Sequence, residues 1–377
     1  MDNSKKKNIT SDDENNTIFL KIFENLDNHE NAVLGRNCLL NVLKMLALGA
    51  EGETLKKLNQ HENVKNALLQ QQQQQITKEE EEPFEEKSAL FLVSEPEINH
   101  VGEKFKNAVE KIIQNFKIIK KPSTEQEIEA IEDFIDKATY LSLSEYYKYI
   151  ICSKTLMTGL WKAEFLEKNT RDGTFFLSEN KKIEVPMLNR DLTTIKTINN
   201  HKFGDLQCNI YRFPYKNPPG HYSMFVILPD KISTAKELNE NIIPNMSNVI
   251  KNMNENGRNE VYFNIYMPKF KFKKQYNLDE TMKKIPELNF LFERGSNYHG
   301  MFEENCDIGK GMENVHLENI VEINNDEKGT TIEAEAYCCM VDGCGNYIDL
   351  NRPFVFCICN ENTNEILYVG ILTNPLG

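Results

Sequence analysis

Nine cysteines and seven histidines are the residues of this 377-residue chain best suited to chemistry, so their spacing comes first. Cys338, Cys339, Cys344, Cys357 and Cys359 gather toward the C-terminal end. Zinc sites usually carry a cysteine pair about two to four residues apart, followed by a second such pair. An adjacent pair and a Cys-x-Cys lack that form, and none of the seven histidines stands beside them. No metal and no other cofactor is expected. Cys38, Cys152, Cys208 and Cys306 are isolated, and no redox Cys-x-x-Cys occurs. There is no Gly-x-Ser-x-Gly elbow, no phosphate-binding loop and no dinucleotide fingerprint. Carboxylates are so abundant that their spacing carries no information. The histidines read as surface or satisfied core residues. An enzyme is not expected.

A different pattern lies at 330–341. Side chains of a strand alternate between its two faces. Thr330, Ile332, Ala334, Ala336, Cys338 and Met340 fall on one face and carry no charge. Thr331, Glu333, Glu335, Tyr337, Cys339 and Val341 fall on the other, which holds both glutamates. An antiparallel strand with one face on a core and one in water needs that alternation. No proline or glycine interrupts the stretch after Gly329, so nothing blocks a hydrogen-bonded ladder. As a strand it would span about 40 Å.

The surrounding chain sets the context. A net charge of −13 argues against nucleic acid and anionic membrane partners, which select clustered Lys and Arg. The N-terminus has no apolar core of a signal peptide, and no apolar run is long enough to cross a bilayer. Reduced thiols and a cytoplasmic setting are expected, with unconventional secretion left open. Residues 1–16 read as a disordered tail. Apolar residues at helical spacing mark helices from about Thr17, over 37–48, over 101–116 and over 128–139. The glutamine run 70–75 and the glutamates 79–82 mark a surface insertion over 69–87. Strands are read at 149–156, 175–177, 182–185, 209–213, 224–228, 261–267, 355–359 and 367–373. Helices early and strands late predict one mixed α+β domain over 1–377.

Several blocks in order resemble the serpin family. They are 31–54 (NAVLGRNCLLNVLKMLALGAEGET), Leu160-Trp161-Lys162 with Phe165, Thr170 and Phe176, and Val185-Pro186-Met187. They continue with 223–229 (SMFVILP), 266–270 (YMPKF), Glu327-Lys328-Gly329-Thr330, 353–356 (PFVF) and 370–375. The resemblance implies three β-sheets, eight to nine helices and an exposed reactive-centre loop over 329–350, with Glu327, Lys328, Gly329 and Thr330 as its hinge. It implies a monomeric inhibitor that acts as a suicide substrate. A protease cuts the loop and forms an acyl-enzyme, and the loop then inserts into the central sheet on the face of Ile332, Ala334, Ala336 and Cys338. The alternative is a non-inhibitory binding protein of the same fold.

Two departures bear on that mechanism. Inhibitory members usually have small residues after the hinge threonine, where this chain has Ile332, Glu333 and Glu335. A large Ile332 on the buried face slows insertion and lets a protease escape. The family also carries a polar cluster under the sheet, and the corresponding places hold Cys38, Ser153 and Asn319. Cysteine is a weak donor, so the usual hydrogen bonds are not all expected. Family spacing from Gly329 places the scissile position at Gly343, and spacing from Pro353-Phe354 places it at Asp342. Asp342–Gly343 is preferred, because Asp342 offers a recognisable side chain and Gly343 leaves room after the cut. Met340 is the alternative. No Lys or Arg lies between Gly329 and Leu350, so the expected target is a serine or cysteine protease that is not trypsin-like.

Overall fold

A single 23-residue strand, β6 (Lys181–Phe203), organises the larger part of the molecule. The structure, a computed structural model, describes residues 11–27, 30–69, 84–92, 101–113, 115–120, 149–157, 159–216, 222–304, 315–329 and 346–377. The first half of β6 pairs antiparallel with β5 (Arg171–Ser178) and β9 (Arg258–Pro268), and its second half pairs with β7 (Leu206–Pro214). The register shifts between Arg190 and Thr193 and between Ile198 and His201. Bulges of this kind bend a strand and raise its twist. One hydrogen-bonded ladder thus serves two differently oriented sheets. Beyond β7 it continues through β8 (Tyr222–Pro229), β13 (Phe354–Asn360) and β14 (Glu365–Leu372) to β1 (Ala32–Gly35). On the other side, β12 (Asn346–Asp349) runs parallel to β9.

The apolar runs of β8 and β13 are buried on both faces, as such runs require. Phe225, Ile227, Val355 and Cys357 feed one core, and Met224, Val226, Phe354 and Phe356 feed another. The first core also holds α2 (Arg36–Gly49), whose Leu39, Leu40, Leu43, Met45 and Leu46 are all buried. Above α2 lie two smaller ladders. One is β3 (Phe116–Lys120), β2 (Phe84–Leu92) and β4 (Tyr149–Met157). The other is β10 (Phe270–Asn277) with β11 (Glu318–Asn325). Among the described residues no ladder joins β4 to β11.

The mixed helix-and-sheet architecture agrees with the sequence, and several boundaries are corrected. Helix α1 (Ser11–Glu24) begins inside the stretch read as a tail. Asn16 anchors it, donating to the Asn364 carbonyl and accepting from the Ile366 amide, both at 2.9 Å. Helices α3 (Gly52–Gln60) and α4 (Glu62–Leu69) follow α2, and β2 already starts at Phe84. Pairing of 84–87 with β4 overrides their charged composition, so the insertion shrinks to 70–83, outside the described residues. Helix α5 (Glu103–Glu110) stops short of Phe116, which instead opens β3. Asn115, at φ 54°, turns the chain there, and 116–120 pair with β2. The reading of a helix over 128–139 lies outside the described residues. The span 329–350 is not all loop: Gly329 is buried, and 346–349 form β12 with Ile348 and Leu350 buried. Among the described residues no helix is long and apolar enough to cross a membrane.

Candidate functional site

Strand β11 ends at Asn325, and Asp326–Gly329 close a tight turn immediately after it. Gly329 N donates to the Asp326 carbonyl at 3.3 Å, and Lys328 N donates to Asp326 Oδ1 at 3.0 Å. Gly329 has φ +106°, a conformation that L side chains rarely adopt. A Cβ there would meet the Gly159 carbonyl oxygen at 2.4 Å and the Trp161 amide nitrogen at 2.6 Å. The turn therefore lies directly on the 159–165 segment, and only glycine permits that approach.

Trp161 holds this contact. Its amide donates to the Lys328 carbonyl and its Nε1 to the Asp326 carbonyl, each at 3.1 Å. The indole is buried, stacks on Tyr215 at 4.8 Å, and takes Phe165 and Phe213 edge-on. Phe165 N donates to the Glu327 carbonyl at 2.9 Å. The Glu327 carboxylate is buried, and it accepts from Thr170 Oγ1 and Lys269 Nζ, both at 2.9 Å. Burial pushes this carboxyl up, but the hydrogen bonds from Lys269, a backbone N–H and Thr170, with the Lys269 charge, outweigh it and hold it below the ordinary carboxylate range.

Of the hinge residues read from the sequence, Glu327, Lys328 and Gly329 thus meet in one turn, with Glu327 and Gly329 buried and Lys328 half-buried. Thr330, Ile332, Ala334, Ala336, Cys338, Met340, Asp342 and Gly343 lie outside the described residues. The chain returns at Asn346 into β12, where Leu350 N donates to the Tyr266 carbonyl at 2.9 Å.

The cluster of Cys38, Ser153 and Asn319 sits where α2 passes beneath β4 and β11. Asn319 Nδ2 donates to Cys38 Sγ at 3.4 Å, and Cys38 donates to the Gly35 carbonyl at 3.4 Å. Ser153 is held one helical turn further along, with Asn41 Nδ2 at 3.5 Å and Ser88 Oγ at 2.9 Å. Sequence reasoning missed Asn41 and Ser88. The spacing of Cys38 and Asn41, three apart on one helix face, was the available signal for Asn41. Among the described residues no donor reaches the buried Oδ1 of Asn319.

Burial pushes the Cys152 and Cys208 thiols up to about 12 and the Cys357 thiol higher still, so none is a ready nucleophile. Among the described residues no three His, Cys, Asp or Glu side chains form a group able to hold a metal ion.

The family model described as Serpin (serine protease inhibitor) matches residues 13–375. Glia-derived nexin from Homo sapiens is 25% identical over 365 residues, covering 92% of this chain and 88% of that protein. The solved structure of native protease nexin-1 with heparin aligns with a TM-score of 0.77 at 21% identity, covering 97% of this chain and 100% of the other. Human thyroxine-binding globulin complexed with its ligand aligns with a TM-score of 0.74 at 16% identity, covering 98% and 99%. At these identities the structural matches establish the fold.

Proposed function

Because the chain belongs to the serpin family, we propose that it is a protease inhibitor that works as a suicide substrate through residues 330–345. The observation that carries this reading is that, among the described residues, no ladder joins β4 to β11, the strand that ends at the turn feeding the loop. Among those residues β4 pairs only with β2 and β11 only with β10, and a strand edge without a ladder is one that a further strand satisfies. The alternation at 330–341 supplies such a strand, with its uncharged face toward α2 and its glutamates toward water.

On this reading the nucleophile of the target protease attacks the Asp342 carbonyl. The Asp342–Gly343 peptide bond breaks, Gly343 leaves as a free amine, and Asp342 stays esterified to the enzyme. The released 330–341 segment then pairs between β4 and β11 and carries the enzyme with it. Glu327, Lys328 and Gly329 form the pivot. Cys38, Ser153 and Asn319 sit under the place where that segment would enter. The preferred target is a serine or cysteine protease that accepts an acidic or methionine side chain, since no basic residue lies in the loop.

The test compares thermal unfolding of the intact chain with that of chain cut within 330–345. A large rise in midpoint after cutting means that the segment inserts. An unchanged midpoint favours the second reading, a binding protein of this fold. The likeness to thyroxine-binding globulin and the bulky Ile332 are the observations on that side.

A further inference from the structure

Helix α2 reaches both lips of the seam with two side chains one turn apart. Asn41 meets Ser153 on β4, and Cys38 meets Asn319 on β11. The β4 side is complete, because Ser153 is also bonded to the fully buried Ser88. The β11 side is not. Asn319 is 6% exposed, its amide nitrogen is aimed at Cys38 Sγ, and the oxygen of the same amide is buried with no protein donor. Such an acceptor lacks about one hydrogen bond's worth of free energy. A thiol is a weak donor, and that of Cys38 is directed at the Gly35 carbonyl.

Cys38 is also placed to react. Among the described cysteines it alone is partly exposed, while Cys152, Cys208, Cys357 and Cys359 are buried. It is the third residue of the 14-residue α2, where the N–H groups of the first turn favour a thiolate.

We infer that Cys38 is an oxidation site: a hydroperoxide converts its thiol to a sulfenic acid, whose hydroxyl donates to Asn319 Oδ1 and fastens β11 to α2. The thiolate sulfur attacks one peroxide oxygen and the O–O bond breaks. The sulfur is oxidised and the peroxide reduced. The second oxygen leaves with the former thiol proton, as water from hydrogen peroxide or as an alcohol from an organic hydroperoxide. A thiol reductant reverses the step. The oxidised chain then holds β11 on α2 more firmly than the reduced chain. That this would delay strand entry rests on the proposed function, but the modification and the fastening do not.

The experiment treats the full chain briefly with hydrogen peroxide and traps sulfenic acid with dimedone. Mass mapping locates the adduct, and hydrogen exchange is followed over 318–325. The expected result is an adduct on Cys38 and exchange of 318–325 slowed by about five-fold, the size of one net hydrogen bond. Thiol reductant restores the original rate. Cys38→Ser, which keeps every other cysteine, shows no peroxide response in 318–325. Absence of a Cys38 adduct overturns the inference. So does unchanged or faster exchange in the oxidised chain, or an equal response in Cys38→Ser. No readout here involves a protease, so failure of the inhibitor reading appears separately, in the thermal comparison of intact and cut chain.

Discussion

Lys269 Nζ lies 2.9 Å from the carboxylate of Glu327, tying the junction of β9 and β10 to the turn that follows β11. The partners are unequally solvated, with side-chain exposures of 43% for Lys269 and 8% for Glu327. Losing the contact leaves Lys269 in water but disturbs a buried acceptor that also serves Thr170. Glu327→Gln keeps the shape and removes the charge. The expected cost is about 1–2 kcal/mol, reduced from a fully buried pair by the exposure of Lys269. Urea unfolding of the two proteins measures it.

The same carboxylate gives a pH dependence. Its folded pKa lies below the ordinary value, so its contribution is complete above the unfolded carboxylate pKa of about 4.3 and is lost as pH falls toward the folded value. The difference in thermal midpoint between wild type and Glu327→Gln is therefore expected to hold steady from neutral pH down to about 5 and to shrink below it. A gap that widened on acidification would contradict the assignment of a lowered pKa.

Gly329 tests the close approach beside this pair. An alanine Cβ at φ +106° meets the Gly159 carbonyl and the Trp161 amide, which are backbone atoms with little freedom to move. Gly329→Ala is expected to destabilise by about 2–4 kcal/mol, through strain and the loss of the bonds that dock the turn. Denaturant unfolding gives the size. A fall in the fluorescence shift of Trp161, the sole tryptophan, reports the local release.

These residues show how legibility varied along the chain. Gly329 stood out in a motif, but the atoms that make glycine necessary there, Gly159 O and Trp161 N, lie far away in sequence and left no local mark. Strand β8 was legible because an unbroken apolar run has few other uses. Strand β10 was missed although Phe270 and Phe272 point inward and Lys271 and Lys273 outward, since lysines masked a clean two-residue period. The length of β6 was hidden by its bulges, which break the alternation through the mostly polar residues 189–194. Cys38 and Asn319, named together by resemblance, are in contact. That no ladder joins β4 to β11 among the described residues could not be read at all, because such a gap is a relation between elements and not a property of either strand.

The scissile position can be fixed directly. Mass spectrometry of a trapped complex with a protease that accepts acidic residues is expected to show a released peptide beginning at Gly343. A peptide beginning at Val341 would place the cut after Met340 instead.

Ile332 provides the last test, because it acts on rate and not on recognition. After the loop is cut, the acyl-enzyme partitions between hydrolysis, which frees the protease, and insertion, which traps it. On the proposed mechanism Ile332 belongs to the uncharged face that enters between β4 and β11, at a place where related inhibitors carry small residues. Forcing a branched side chain into a close-packed layer costs about 1–3 kcal/mol. If even the lower part of that range acts on the insertion step, Ile332→Ala speeds insertion by about five-fold. The recognised bond, distal to Ile332, is untouched, so the rate of first cleavage should stay the same. The molar ratio of inhibitor to protease needed for complete inhibition should fall toward one, while cleaved, uncomplexed chain on denaturing gels becomes scarce. A ratio unchanged by Ile332→Ala would mean that entry of this residue does not limit insertion, and the seam beneath, where Cys38 holds Asn319, would then be the place that sets the rate.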